Sequence, residues 1–146
     1  MIMQLEKLTE PERRILFKTP ALISVLASSE GKGINEEQKV DAIKMSHLKT
    51  FTADPLLRPY YEVVEKHFLE NFESIAQRYM PFTPSKCNLL RQEIQEVNHI
   101  LPKLDKEFAE LLHKSWNDYE RHVRRSVHSV LGDFVFPLSI HGLTDI

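Results

Sequence analysis

Two pairs of glutamate and histidine have the spacing that metal-binding helices use. Glu96 and His99 form one Glu-x-x-His pair, and Glu110 and His113 form the second. Di-iron carboxylate proteins place such pairs on two helices, so that both pairs project into the core of a bundle. On a helical wheel, however, His99 lies roughly opposite Val97, and Glu110 lies roughly opposite the apolar stripe of its own segment. The pattern therefore predicts surface residues, with a di-iron centre as the alternative.

The glycine-containing stretch ASSEGKGINEEQ, residues 27–38, is a second candidate. It matches neither a phosphate loop, nor an EF-hand, nor a dinucleotide fingerprint. A glycine that ends one helix and an asparagine that caps the next explain it as a corner between helices. The same turn places Glu30 opposite Glu36 and Glu37, and several carboxylates together can hold Ca²⁺ or Mg²⁺. We therefore predict a corner, with a divalent-cation site as the alternative, weakened by Lys32 inside the turn.

A cluster of arginines follows in RHVRRSVH, residues 121–128. Helical spacing places Arg121, Arg124 and His128 on one outer face, with Arg125 beside them. A phosphate or an acidic protein partner can dock against such a face. Cations in the last turns of a long helix also stabilise its negative end without any ligand. Both interpretations, an exposed dipole-stabilising cluster and a site for an anion or a partner, stay open.

His47 and Cys87 are isolated candidates. His47 lies on the apolar stripe of its predicted helix, which is typical of a hydrogen-bonded core histidine, and a ligand role is the alternative. Cys87 precedes Leu90 and Ile94 by three and seven residues, so we expect it to face the core as a small hydrophobe. An exposed Cys87 in the first helical turn beside Lys86 would instead be a reactive thiol.

Capping residues and apolar spacing predict about six helices that position these side chains. Thr9 and Glu12 form a capping box. A capping side chain also precedes a proline in the pairs Thr19–Pro20, Asp54–Pro55 and Thr83–Pro84. The predicted helices span residues 10–18, 20–29, 35–51, 55–80, 84–100 and 102–131.

Besides the stripe of Val40, Ile43, His47 and Phe51, three apolar stripes with helical spacing predict the core. They comprise Tyr60, Tyr61, Val64, Phe68, Phe72, Ile75 and Tyr79; Leu90, Ile94, Val97 and Leu101; and Leu104, Phe108, Leu111, Ser115, Tyr119 and Val123. Residues 133–140, DFVFPLSI, come closest to a strand, but Pro137 interrupts them. We therefore predict a single all-α domain over residues 1–146, a compact bundle with a short extended C-terminal tail.

Composition is that of a soluble globular protein. The chain has 146 residues, of which 42% are hydrophobic and 27% charged, with a formal net charge of −2. This charge gives no global attraction to nucleic acid or to an anionic membrane. One cysteine excludes an internal disulfide framework. The stretch MIMQLEKLTEPERR lacks the features of a signal peptide, so the expected location is the cytoplasm.

Residues 21–48 combine a small apolar helix ending in Ala-Ser, an acid-Gly turn, an isoleucine and an Asn-Glu-Glu helix start. This arrangement resembles the TerB-like tellurite-resistance domains. The resemblance implies an all-helical fold whose acidic turns are associated with divalent cations and stress-response complexes. A second such turn would fall in residues 131–146, with Asp133 and Asp145 as its acids, although the helix that should follow it is missing.

The leading functional hypothesis is a non-catalytic, cytoplasmic helical binding or scaffold protein with a protein partner. The resemblance adds a stress-related role and a weak Ca²⁺ or Mg²⁺ site at residues 30–37. One alternative is a carboxylate-bundle metal protein that uses the Glu-x-x-His pairs. The other is a pure interaction module that uses the arginines.

Overall fold

The computed structural model describes residues 3–29, 43, 44, 46 and 54–131, with side chains as far as Arg124. These residues contain no β-strand, which confirms the all-α class. Four helices of twelve residues or more lie in the described ranges, so the predicted number of six is not confirmed. The elements are a 3₁₀ helix at Met3–Lys7, α1 at Glu10–Ser29, α2 at Arg58–Tyr79, α3 at Pro84–Gln95, α4 at Val97–Ile100, a 3₁₀ helix at Leu101–Lys103 and α5 at Lys106–Leu131.

Part of the predicted architecture lies outside these ranges. Ile43, Lys44 and Ser46 are helical, in agreement with the helix predicted over residues 35–51. The rest of that helix and the tail predicted at residues 133–140 lie outside the described residues.

Side-chain caps fix two of the helix starts as predicted. The Thr9 amide donates to Glu12 Oε1 at 2.8 Å, and the Glu12 amide donates to Thr9 Oγ1 at 3.3 Å. This reciprocal pair is a capping box. Thr83 Oγ1 accepts from the Lys86 amide at 3.1 Å, in front of Pro84 at the first position of α3. Asp54 instead holds a turn that precedes α2, where its carboxylate accepts from the Leu56 amide at 2.9 Å.

The two helices predicted on either side of Thr19–Pro20 form one continuous helix, α1, with Pro20 in its interior. A proline has no N–H, so the Leu16 carbonyl, four residues earlier, loses its usual helical donor. The Tyr60 hydroxyl replaces that donor, at 2.5 Å from the Leu16 oxygen. Thr19 does not cap a helix start, because its hydroxyl donates to the Ile15 carbonyl at 2.7 Å.

Tyr60 joins three helices through one buried hydroxyl. The hydroxyl donates to the Leu16 carbonyl in α1, and its oxygen accepts from Trp116 Nε1 in α5 at 3.1 Å. Burial raises the pKa of Tyr60, so the hydroxyl keeps the proton that it donates. Both of its capacities, one donor and one acceptor, are thereby used inside the core.

Two further buried pairs connect the same three helices. Tyr61 Oη and Ser115 Oγ are 2.5 Å apart, which links α2 to α5. Ser24 donates to the Pro20 carbonyl at 2.9 Å, so its oxygen accepts from Tyr119 Oη at 2.6 Å, which links α1 to α5. Such pairs satisfy polar groups that would otherwise be buried at a cost.

The second half of α1 is the centre of the fold. Every residue from Thr19 to Ser29 is buried, and the helix contacts α2, α3, α4 and α5. A helix that is buried on all sides needs apolar residues around its whole circumference, which explains the stretch ALISVLA. Its serines are accommodated because they hydrogen-bond to backbone carbonyls within the helix, as Ser24 and Ser29 do.

The helix predicted over residues 84–100 is interrupted. α3 ends at Gln95, and α4 begins at Val97 after a turn at Glu96. In this turn the Glu96 amide bonds to the Glu93 carbonyl and the His99 amide bonds to the Glu96 carbonyl, in the tighter spacing of a 3₁₀ helix. The predicted stripe survives, since its four residues are all buried.

The last helix begins at Lys106 rather than at residue 102, because Pro102 lies in a 3₁₀ turn that closes before it. Asp105 stands at the start of α5, where its carbonyl accepts from the Ala109 amide at 2.9 Å. Its carboxylate is held 2.9 Å from Lys7 Nζ in the N-terminal 3₁₀ helix. The Lys7 ammonium lowers the pKa of Asp105, together with a hydrogen bond from Gln4.

The stripe predicted on α5 is confirmed, but the buried face is wider than predicted. Leu104, Phe108, Ser115, Tyr119 and Val123 are buried, whereas Leu111 is only partly buried. The sequence prediction omitted three core residues on the same side of the helix: Ala109, Leu112 and Trp116. Together with the buried residues of the other elements, they form one continuous hydrophobic cluster.

Replacing Tyr60 with Phe tests the role of its hydroxyl. The change leaves the Leu16 carbonyl and the Trp116 N–H buried without a partner, at about 1–3 kcal/mol for each. We expect the free energy of unfolding, measured by urea denaturation, to fall by about 2 kcal/mol or more.

Tyr61→Phe is the matched control, because Tyr61 is the adjacent residue and is equally buried. It leaves only the Ser115 hydroxyl, which can turn to the carbonyl one helical turn before it, so we expect a loss of about 1 kcal/mol. Equal losses in the two variants would contradict a special role for Tyr60.

Candidate functional site

A cleft of about 420 Å³ lies between α1 and α2. Most small-molecule sites have volumes in the range of roughly 300–1,000 Å³. α1 contributes Arg14, Phe17 and Lys18, and α2 contributes Val63, His67, Glu70 and Asn71. Within each set the residues recur at three and four positions, so each helix presents one face to the cleft.

The apolar residue Phe17 of the cleft packs against the buried residue Tyr60. The Phe17 ring stacks on Tyr60, with centroids 5.6 Å apart and an interplanar angle of 18°. Tyr60 in turn meets Tyr61 edge-on at 4.9 Å. Phe17 and Val63 are half-buried, so they combine an anchored position with surface that a ligand can contact.

The two cations that line the cleft already have carboxylate partners. Arg14 Nη2 lies 2.7 Å from Glu10 Oε1, one turn earlier on α1, and both side chains are well exposed. Lys18 Nζ lies 3.3 Å from Glu93 Oε2 on α3, and only 27% of the Lys18 side chain is exposed. The Lys18 pair is therefore the more sheltered of the two, and it connects the cleft to α3.

Glu93 is the centre of a polar cluster beside the cleft. Besides Lys18, its carboxylate accepts from Arg78 Nη2 at 3.2 Å and from Tyr79 Oη at 2.7 Å. The Arg78 guanidinium also lies 5.1 Å from the centre of the Tyr79 ring, within cation–π range. Burial and the bond to Glu93 raise the pKa of Tyr79 to about 12, so its hydroxyl stays a donor. The cluster ties α1, α2 and α3 together.

The two Glu-x-x-His pairs, which are metal ligands only in the alternative interpretation, form no metal-binding group among the described residues. Glu96 and His99 are exposed at the junction of α3 and α4, where they line a polar depression with Asn88, Arg91, Gln92 and Gln95. Glu110 on α5 is partly exposed, 3.9 Å from Lys106. Among the described residues there is no group of three or more His, Cys, Asp or Glu that could hold a metal ion.

His113 departs from the predicted surface position, because it is buried with only 4% of its surface exposed. The wide buried face of α5, which includes Leu112 and Trp116, extends to its position. Burial lowers the pKa of His113. Asn117 Nδ2 lies 3.4 Å from His113 Nε2, and an amide nitrogen only donates, so this contact also requires a neutral ring nitrogen.

The predicted arginine face is exposed at Arg121 but not at Arg124. Arg121 pairs with Asp118 on the surface. Arg124 Nε lies 2.8 Å from Glu120 Oε2, and the exposed fractions of the two side chains are 17% and 12%. Arg125 lies in the described helix, but its side chain is outside the described part. Both described arginines are thus paired with acids of their own helix, and an anion or partner site here stays a prediction.

The remaining sequence candidates are mostly outside the described residues. These are Glu30, Glu36, Glu37, His47, Asp133 and Asp145. α1 is described as far as Ser29, and the predicted turn after it lies outside the described residues. Cys87, in the first turn of α3, is half-buried, whereas it was expected to face the core. Its Sγ lies 3.5 Å from Ser29 Oγ at the end of the described part of α1.

The cleft between α1 and α2 was not predicted from the sequence. Arg14, Phe17 and Lys18 have helical spacing in the sequence. The predicted helix ended at Lys18, however, so these residues were not recognised as part of a long helix that forms one wall of a cleft. The opposite wall was also invisible, because no local pattern says which face of α2 will meet α1. The signal available in the sequence was an aromatic residue, Phe17, at helical spacing from the cation Arg14 and next to the cation Lys18.

No family model, no curated protein and no solved structure matches this chain. Within the described ranges, no helix is long and apolar enough to cross a membrane.

The buried His113 should make the free energy of unfolding depend on pH. Its pKa is lower in the folded protein than the unfolded value of about 6.5. The unfolded chain therefore binds a proton more readily, and the free energy of unfolding falls as pH falls below about 6.5. His113→Gln should remove this part of the pH dependence. The measurement is urea denaturation between pH 5 and 8, a range that brackets the usual histidine pKa of about 6.5.

His99→Gln is the matched control, because His99 is exposed on α4. This variant should keep the wild-type slope of stability against pH. An unchanged slope in His113→Gln would show that His113 is not the group responsible.

Proposed function

We propose that this chain is a non-catalytic helical binding protein, and that it takes a small ligand with an apolar body in the cleft between α1 and α2. The observation that carries the proposal is the combination of a 420 Å³ volume, an anchored apolar floor and a charged rim. Ligand sites typically combine apolar walls with a few placed polar groups, as this cleft does.

The rigidity of the cleft supports a binding role. Its walls are two long helices that the Tyr60 hydroxyl and the Glu93 cluster hold together. A site that is already ordered loses little conformational freedom when a ligand enters, so more of the contact energy contributes to affinity.

The side chains in the cleft suit binding better than covalent chemistry. Among the described residues that line it are two cations, a carboxylate, an amide and a histidine, but no serine, threonine or cysteine. The described lining therefore offers no hydroxyl or thiol nucleophile, and Lys18, whose amine can also act as a nucleophile, is held in an ion pair with Glu93. We therefore expect a bound ligand to be released unchanged.

A cytoplasmic location and a protein partner belong to the same proposal. The single cysteine leaves no internal disulfide, in keeping with a reducing compartment. The partner and the stress-related role rest on the resemblance of residues 21–48 to TerB-like domains.

Filling the cleft tests the proposal. A set of small aromatic and aliphatic fragments should shift NMR signals of Phe17, Val63 and Asn71 in the wild type. Val63→Trp places a large ring in the cleft and should abolish these shifts, provided that the variant keeps a folded amide spectrum. Chromatography should recover the fragments unchanged.

Leu89→Trp is the matched control, because it adds a tryptophan at an exposed apolar position on α3 outside the cleft. It should bind the fragments as the wild type does. Fragments that bind equally well to Val63→Trp would show that the cleft is not the site.

The predicted cation site at residues 30–37 is a second ligand site in this proposal, and it rests on the sequence, which places Glu30, Glu36 and Glu37 close together in one predicted turn. At a hundredfold excess over Kd, Ca²⁺ or Mg²⁺ should stabilise the fold by about 2.7 kcal/mol and raise the melting temperature. Glu30→Gln with Glu37→Gln should remove the effect. An unmoved wild-type melting temperature in millimolar Ca²⁺, Mg²⁺ and Mn²⁺ would contradict the site.

A further inference from the structure

We infer that the cleft between α1 and α2 selects a small aromatic monocarboxylate, with its ring on Phe17 and its carboxylate between Arg14 and Lys18. This inference rests on the proposed function, and it names the class of ligand. Its support comes from the ring geometry and from the distribution of charge on the two walls.

Phe17 favours an aromatic body. Tyr60 lies against one side of its ring in an offset, nearly parallel arrangement, with the centroids 5.6 Å apart. Because Phe17 also lines the cleft, the surface that it offers there is the opposite face or the edge of the ring. A planar ligand ring would continue the stack of Phe17 on Tyr60 in an offset or edge-on arrangement, the geometries that aromatic pairs prefer.

The α1 wall favours a negative charge. Arg14 and Lys18 are one helical turn apart and point to the same cleft, with Phe17 between them in sequence. The competing bond of Arg14 to Glu10 joins two side chains that are 70% and 67% exposed, so exchanging Glu10 for a ligand carboxylate costs little. Lys18 is better shielded, and its 3.3 Å contact with Glu93 is long enough for a second acceptor to compete.

The α2 wall limits the ligand to one negative charge. Glu70 lines the cleft on this side, opposite the two cations. A dicarboxylate with one group between the two cations would place its second, separate charge towards the wall that holds Glu70, and like charges in a partly desolvated cleft repel. Asn71 can donate to a carboxylate oxygen without adding charge.

Three ligands of one shape test the inference. Phenylacetate, 2-phenylethanol and 2-phenylethylamine share a ring and a short chain but are anionic, neutral and cationic. In calorimetric titrations of the full chain, phenylacetate should bind about tenfold more tightly than the alcohol, and the amine should bind most weakly. Added salt should weaken the binding of phenylacetate and leave that of the alcohol unchanged.

Two variants separate a contact with Lys18 from an effect of the Glu93 cluster. Lys18→Gln should weaken phenylacetate about tenfold and leave 2-phenylethanol unchanged. Arg78→Gln also removes a cation from Glu93, but Arg78 does not line the cleft, so phenylacetate should bind as to the wild type.

Each other outcome contradicts a defined part of the account. Equal affinities of the three ligands would overturn the carboxylate inference and leave the binding function standing. No binding of any of them at millimolar concentration, together with no fragment in the cleft, would overturn both. Equal losses in Lys18→Gln and Arg78→Gln would overturn the assignment of Lys18 as a carboxylate contact.

Discussion

The hydrogen bond from the Tyr60 hydroxyl to the Leu16 carbonyl is the contact on which the arrangement of the helices depends. It supplies a donor to a carbonyl that Pro20 cannot serve, and both Leu16 and Tyr60 are fully buried. Water cannot satisfy this carbonyl, so a side chain of another helix has to reach it. The proline therefore does not end the helix, and it fixes where α2 must lie against α1.

The same contact explains why the cleft has its shape. Once Tyr60 is held against Leu16, its ring lies under Phe17, and Trp116 of α5 closes the other side of the hydroxyl. Phe17 is then half-buried beside Val63, with Arg14 and Lys18 above it on the same helix. On the neighbouring side, Glu93 holds Lys18, Arg78 and Tyr79, which prevents α3 from moving away from the pair. The shape of the cleft is thus a consequence of satisfying one buried carbonyl and one partly buried carboxylate.

What could be predicted from the sequence was the local part of this structure. The Thr9–Glu12 box and the Thr83 cap involve residues three positions apart, and both are present. The stripes on α2 and α5 follow from helical periodicity, and their residues are buried apart from partly buried Tyr79 and Leu111. Pro20 was misjudged because the Leu16 carbonyl, which loses its helical donor to the proline, takes its new donor from Tyr60, 44 positions further along the chain. The burial of His113 and the partial burial of Arg124 depend on how wide a face α5 buries, which periodicity alone does not define. The cleft is formed by two helices together, so no local pattern marked it.

A double-mutant cycle between Pro20 and Tyr60 tests the central claim most directly. In Pro20→Ala the amide of residue 20 can bond to the Leu16 carbonyl, as in an uninterrupted helix. Tyr60→Phe should then cost less in the Pro20→Ala background than in the wild type, by about 1 kcal/mol or more in the free energy of unfolding from urea denaturation. A remaining loss is expected in both backgrounds, because Trp116 Nε1 still lacks its acceptor. Costs that add without coupling would contradict the claim that the Tyr60 hydroxyl takes the place of the missing proline N–H.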